Sequence, residues 1–185
     1  MKSNVRGFTI IELLMAMAVF SFVMVIIVAA FMQLMSGYRQ GVTNQKTQNL
    51  NREILVQMTR AAHDSSTLTV SADNSHVCFG DSQYDYDQTN GNLYLGERSA
   101  NCSSVAANRK NLISDDLKVL KFVVDPRSSS NTANPVVLGA NVELTIATRN
   151  EDLLDDSGQA CDPTKAGSQY CSITTIKTAV GLRGE

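Results

Sequence analysis

Between Leu13 and Met32 the chain carries a single polar side chain, Ser21, in an otherwise unbroken apolar run. An apolar segment of about 20 residues is long enough to cross a hydrocarbon core of about 30 Å as a helix. The rest of the chain is rich in Ser, Thr, Asn, Asp and Gly, so the apolar residues are concentrated rather than spread. The 185 residues therefore read as one domain with an appendage. An apolar share of 43% beside 18% charged residues excludes both a disordered tail and a wholly membrane-embedded chain.

Charge follows the same division. Lys2 and Arg6 lie in the first seven residues, whereas most acids lie beyond Ala62. The net charge of −2 thus hides an acidic distal part. A nucleic-acid-binding face needs a basic footprint, which only a local basic patch is left to supply.

All four cysteines, Cys78, Cys102, Cys161 and Cys171, lie on the distal side of the apolar run. An even count beyond a membrane segment fits disulfides formed in an oxidising compartment. Of the possible pairings the sequence-local one is expected, Cys78 with Cys102 and Cys161 with Cys171. Reduced, buried thiols are the alternative. No pair has CxxC spacing and no histidine cluster lies beside them, which argues against zinc.

The N-terminus, MKSNVRGFTIIELLMAMAVF, admits three readings. A secretory signal would place its cleavage site near Val28-Ala29-Ala30, but the apolar run is long for a signal h-region. A plain single-pass anchor explains the length, and it keeps Lys2 and Arg6 in the cytoplasm. Neither explains Glu12. An acid within a membrane helix costs about 2.5–3.5 kcal/mol on insertion scales, and such residues are usually functional. Glu12 at headgroup depth, simply hydrated, is the plain alternative.

Gly7-Phe8-Thr9-Ile10-Ile11-Glu12-Leu13 resembles the prepilin processing motif of type IV pilins and type II secretion pseudopilins. The resemblance joins a short basic leader, Gly, Phe, a Glu four residues on and an uninterrupted apolar run, and it covers residues 1–35. It implies cleavage between Gly7 and Phe8 by a dedicated peptidase on the cytoplasmic side, with N-methylation of Phe8. Glu12 then becomes the fifth mature residue. Such a cut removes Lys2 and Arg6 and creates an amine at Phe8. A Glu12 carboxylate can pair with that amine on a neighbouring subunit, which offsets the burial of both charges.

The same resemblance implies the partners: other pilin subunits, the prepilin peptidase and an inner-membrane assembly platform. It implies a single-pass inner-membrane protein with a cytoplasmic N-terminus, later built into an extracytoplasmic filament at the cell surface. It implies neither a cofactor nor an enzymatic activity. Many major pilins carry a Pro in this helix, whereas residues 8–35 contain none, which points to a minor pilin or a pseudopilin. The tail from Thr174 to Gly184 resembles that of PilW- and J-type minor pilins. The expected function is therefore a structural minor subunit acting in assembly or at the tip of a type IV pilus. A type II secretion pseudopilin is the alternative within the class, and a filament-borne adhesin or DNA-uptake receptor is the alternative outside it.

From Gly37 to about Ala62 the pattern stays helical. Leu50, Ile54, Met58 and Ala61 form one apolar stripe, and Arg39, Lys46, Glu53 and Arg60 form a polar one. Beyond Ser65 short strands are expected at Leu68–Val70, Val77–Phe79, Leu93–Leu95, Leu117–Val124, Val142–Ala147 and Ile176–Leu182. Asp125-Pro126 is expected to end the longest of these, and loops are expected over Arg127–Pro135 and Glu151–Gly167. The predicted fold is α+β, one antiparallel sheet wrapped on the amphipathic half of a long N-terminal helix. The expected divisions are a leader over 1–7, a transmembrane or filament-core helix over 8–35, an amphipathic arm over 36–65 and a β-rich head over 66–185.

Two acidic segments hold enough oxygen ligands for calcium: Asp81, Asp85 and Asp87, and Asp152, Asp155, Asp156 and Asp162. Neither has EF-hand spacing, so both read as solvated loops. Asp152, Asp155 and Asp156 are kept as residual candidates, and no metal is expected. His63-Asp64-Ser65 has the letters of a catalytic triad, but neighbours on a helix do not face one another, so it reads as helix-end chemistry. His76 reads as structural. Tyr84 and Tyr86 are expected in an exposed loop. No phosphate loop, dinucleotide-binding glycine pattern or nucleophile elbow is present.

Overall fold

A computed structural model describes residues 9–128 and 137–183. Gly7, Phe8, the leader and most of the loop expected over Arg127–Pro135 lie outside the described residues. Helix α1 runs Ile10–His63. The chain divides into two compact units, 1–39 and 40–185, and α1 contributes residues to each.

Within the second unit, α1 buries Thr47, Asn51, Ile54, Leu55, Met58 and Ala62. Their spacing of three and four residues is one helical face. Ile54 and Met58 were expected on it, whereas Leu50 and Ala61 lie at its margin, partly buried against the core. The face is rotated because polar residues occupy its N-terminal part. Asn51, fully buried, donates through Nδ2 to Leu144 O at 3.2 Å and Thr174 O at 3.0 Å. Thr47 Oγ1 donates to Thr43 O at 3.0 Å, so its hydroxyl is satisfied within the helix.

Among the described residues eight strands follow: β1 Leu68–Val70, β2 His76–Phe79, β3 Ser82–Asp87, β4 Asn92–Glu97, β5 Ala107–Asn111, β6 Leu117–Ser128, β7 Val137–Thr148 and β8 Ile173–Gly181. They form two antiparallel sheets rather than the single sheet expected, one in the order β1-β2-β3-β4-β5 and one in the order β6-β7-β8. The chain leaves β5 through Leu112–Asp116 and begins a new sheet. Backbone bonding then joins the two where Val119 N–H donates to Gly91 O at 2.8 Å.

Gly91 has φ +63°, and a Cβ there would lie 2.9 Å from Lys118 Cβ, so the Asn90-Gly91 turn tolerates only glycine at this approach. The two sheets and α1 share one core, which includes Met58, Val77, Phe79, Tyr84, Leu93, Leu117, Phe122, Leu144 and Val180. A smaller cluster of Leu153, Leu154 and Cys171 sits apart, with Cys161 and Ile173 packed on it.

Three expectations are corrected. Asp125-Pro126 does not end β6, which continues to Ser128 with Pro126 opposite Ala140. β6 pairs with β7 alone, and the phase of that ladder turns the Pro126 nitrogen away from β7, so no ladder bond is lost. Residues 82–87 form a strand, not an acidic loop. Gln83, Tyr84 and Asp85 are all buried, so neither face of β3 shows the alternation of a half-exposed strand. β5, exposed along its whole length, was not expected as a strand at all.

Candidate functional site

Residues 9–39 supply a helical segment with no core of its own. Large apolar side chains are exposed around the whole cylinder, from Ile10 at 80% to Leu34 at 73%. An amphipathic helix buries one stripe, whereas a helix apolar on every side needs a nonpolar surrounding. Among the described residues this is the one helix long and apolar enough to cross a membrane, with a mean hydropathy of 2.8 over its most apolar window. Ser21 does not interrupt it, because its hydroxyl donates to Met17 O at 2.8 Å and needs no water.

The helix opens on a reciprocal pair. Glu12 Oε2 accepts the Thr9 backbone N–H at 3.1 Å and the Thr9 hydroxyl at 3.0 Å, and the Glu12 amide donates to Thr9 Oγ1 at 3.3 Å. Thr-x-x-Glu at a helix start is a capping box, in which each residue satisfies a donor the helix would leave open. The carboxylate also lies at the positive end of the helix dipole. Among the described residues the bonds of the box fall on Glu12 Oε2 and not on Oε1.

Residues 2–28 match the family described as the prokaryotic N-terminal methylation motif. An N-terminus of this kind is similar to that of type IV pilins and pseudopilins, and the match supports that family. The pilin-type match takes in Gly7, Phe8 and Glu12 and stops at Val28, short of the head. No curated protein and no solved structure matches the chain. A pilin-type N-terminal helix followed by antiparallel sheets is the α+β architecture expected for this class.

In the head the residues singled out by sequence are dispersed. Asp85 is buried and held by three donors: His76 Nδ1 at 2.8 Å, Gln83 Nε2 at 2.6 Å and the Ala106 amide at 2.7 Å. His76, read as structural from the sequence, has its partner nine residues away. Asp87 accepts from Thr89 N–H and from the Asn90 amide and side chain, and the Asn90 side chain leads in holding its carboxyl below the usual carboxylate range. Asp155 binds Ser157 and the backbone of its own loop, and these bonds lower it likewise. Asp162 turns to Thr164. Among the described residues no group of three His, Cys, Asp or Glu side chains is placed to hold a metal.

The tyrosines expected in a loop belong to the core. Tyr84 meets Phe79 edge to face at 6.0 Å, and burial pushes its phenol up to about 12. Tyr86 packs on Phe122 in the same way and donates to Val119 O at 3.3 Å. Cys78 is bonded to Cys102, and Cys161 to Cys171. The first bond ties β2 to the segment after β4, and the second closes the segment that carries the small cluster. At the helix end Ser65 donates to Ala62 O at 3.2 Å and accepts the Arg183 amide through its own carbonyl at 3.0 Å.

Proposed function

We propose that this chain is a minor structural subunit of a type IV pilus, acting in assembly or at the tip, after cleavage between Gly7 and Phe8 and N-methylation of Phe8. The observation that supports it is Glu12: an acid one turn into an all-round apolar helix, within a matched methylation motif, with one carboxylate oxygen outside the capping box. Cleavage leaves the apolar helix attached and places an amine three residues before Ile11. In a filament core the Glu12 carboxylate of one subunit meets the Phe8 amine of its neighbour. The pair forms only in correct axial register, because either charge alone is strongly disfavoured away from water. The apolar helix holds the subunit in the inner membrane before assembly, and the disulfide-bearing head lies on the oxidising side.

The α1 segment from Ile10 to His63 is one helix with no proline, which favours a minor subunit or a type II secretion pseudopilin over a bulk filament protein. Mass spectrometry of the mature N-terminus tests processing. Methylated Phe8 is expected, and a start at Phe31 would indicate an ordinary signal peptide and end the filament reading. Deleting the protein and counting surface filaments separates the roles. Fewer filaments support assembly, whereas normal filaments with lost attachment point to an adhesin.

A further inference from the structure

The three-stranded sheet ends in β8, which pairs with β7 on one side only. The phase of that ladder is fixed at both ends. The Leu182 amide donates to Leu138 O at 3.1 Å, and the Thr148 amide donates to Ser172 O at 3.0 Å. The register between them has no shift, so the even-numbered residues of β8 turn their N–H and C=O towards β7. Ile173, Thr175, Lys177, Ala179 and Gly181 turn theirs to the open side. Among the described residues none of these outward backbone groups has a hydrogen-bond partner.

The other sheet edges are blocked in ways edge strands commonly are. β1 has three residues. β5 carries Arg109 and Lys110 and pairs with β4 across a register shift. β6 has a bulge between Val119 and Lys121, and its outer side is engaged by Gly91 O and by Asn74 Oδ1, which accepts the Val124 amide at 2.8 Å. β8 carries one such device, a single lysine, and is otherwise open. Its nine residues contain no proline and no bulge, and Lys177 at its centre is the one charged residue.

Lys177 is also the outer member of a charge row across the wet face of the sheet. Glu143 lies 3.1 Å from Lys121 and 3.4 Å from Lys177. One carboxylate between two ammonium groups leaves Lys177, with its side chain 71% exposed, short of an anion at the open edge. A strand laid beside β8 places one residue directly opposite Lys177 on the same face. An Asp or Glu there continues the row as plus, minus, plus, minus.

We propose that the open edge of β8 is a strand-acceptor site for a different polypeptide, which adds an extended segment carrying Asp or Glu opposite Lys177. Main-chain bonds supply the attachment and Lys177 supplies the selectivity, as in other strand-addition complexes. A second copy of this chain does not fit. Two β8 strands paired antiparallel about their centres set Lys177 against itself, and β8 beside β5 brings Lys177 towards Arg109 and Lys110. β1 is too short, and β6 is engaged. The site lies wholly in the head and depends on neither N-terminal processing nor filament assembly.

The test uses the full-length protein in detergent micelles and two synthetic heptapeptides, Thr-Val-Thr-Glu-Thr-Val-Thr and the same peptide with Lys at its centre. Amide hydrogen exchange is followed residue by residue. The Glu peptide is expected to slow exchange at Thr175, Lys177 and Ala179, and to bind at least about fivefold more tightly than the Lys peptide. Lys177→Glu is expected to reverse that order with the fold unchanged. Thr175→Pro removes an outward N–H without touching the ladder to β7, and should abolish the slowing. If that variant fails to fold, the Lys177→Glu reversal still decides. Equal binding of the two peptides, or no slowing at these amides, overturns the proposal. So does protection of the same amides in the absence of peptide through self-association, which would make the occupant a second copy.

Discussion

Thr9 and Glu12 satisfy each other's backbone: the Thr9 N–H reaches Glu12 Oε2 at 3.1 Å, and the Glu12 N–H reaches Thr9 Oγ1 at 3.3 Å. A residue whose charge suggests a role between subunits is therefore also the residue that starts its own helix. The two roles make different demands. The capping box needs an acceptor at position 12, which glutamine also provides, whereas pairing with an amine needs the charge.

Substitution separates them. Glu12→Gln is expected to keep the helix start and normal cleavage after Gly7, yet to lower incorporation into sheared filaments by about tenfold or more, the loss of one charge-assisted bond. Thr9→Ala should weaken the helix start by about 1 kcal/mol with a smaller effect on incorporation. Immunoblots of filament and membrane fractions read both. Wild-type incorporation of Glu12→Gln would remove the carboxylate from any part in assembly.

A second prediction concerns Asn51, which joins α1 to two strands at once through Leu144 O and Thr174 O. Asn51→Ala is expected to destabilise the head by about 1–3 kcal/mol, because a buried donor pair is lost and a small void opens. Leu50→Ala, at the margin of the buried face, should cost less. Chemical unfolding of the full chain in micelles, followed by near-UV circular dichroism, compares them. Equal losses would mean that the helix docks through its apolar stripe alone.

The same residues show how much was legible. The membrane-type helix could be read because its signal is one-dimensional: an apolar run, a leader and an acid within a few positions. Thr9 was within that motif, and Thr-x-x-Glu before an apolar run is itself a readable capping signature, but the charge of Glu12 drew the reading outward. β8 alternates between a wetter and a drier face and was found, as were β4, which follows the Asn90-Gly91 turn, and β7, whose residue types alternate although it is buried from Leu144 to Thr148. β3 was not, because Gln83 and Asp85 lie on a face as buried as that of Tyr84 and are satisfied by His76, Ser104 and Ala106, residues remote in sequence. The split into two sheets was also hidden. The two sheets meet at junctions such as Val119 with Gly91 and Val124 with Asn74, which no local pattern announces.

The disulfides should act on different scales. Cys78–Cys102 has both sulfurs in fully packed surroundings beside the main core, so replacing both cysteines by alanine is expected to cost about 3 kcal/mol of global stability. Cys161–Cys171 closes a segment whose cluster is separate from that core. Its removal should raise amide exchange over residues 153–171 and leave β2 and β3 nearly unchanged. Hydrogen-exchange mass spectrometry of each double variant resolves the two. Global loosening after removal of Cys161 and Cys171 would show that the small cluster is not a separate unit of stability.

Lys46 and Asp116 give a prediction with a pH signature. The ammonium lies 2.7 Å from Asp116 Oδ2, and the hydrogen bond from Lys46 holds the Asp116 carboxyl below the usual carboxylate range. A carboxyl whose folded pKa lies below its unfolded value of about 4 adds stability above that value and loses it as pH falls through the folded pKa. Both side chains are more than half exposed, so the contribution is small, about 0.5 kcal/mol or less. Lys46→Met keeps most of the apolar stem and removes the charge. Its melting temperature is expected to lie about 1–2 °C below wild type at neutral pH, the gap closing as pH falls below about 4 and narrowing with added salt. A gap that stays constant from neutral pH down to acid would mean that Lys46 acts through packing of its stem and that the ion pair contributes nothing measurable.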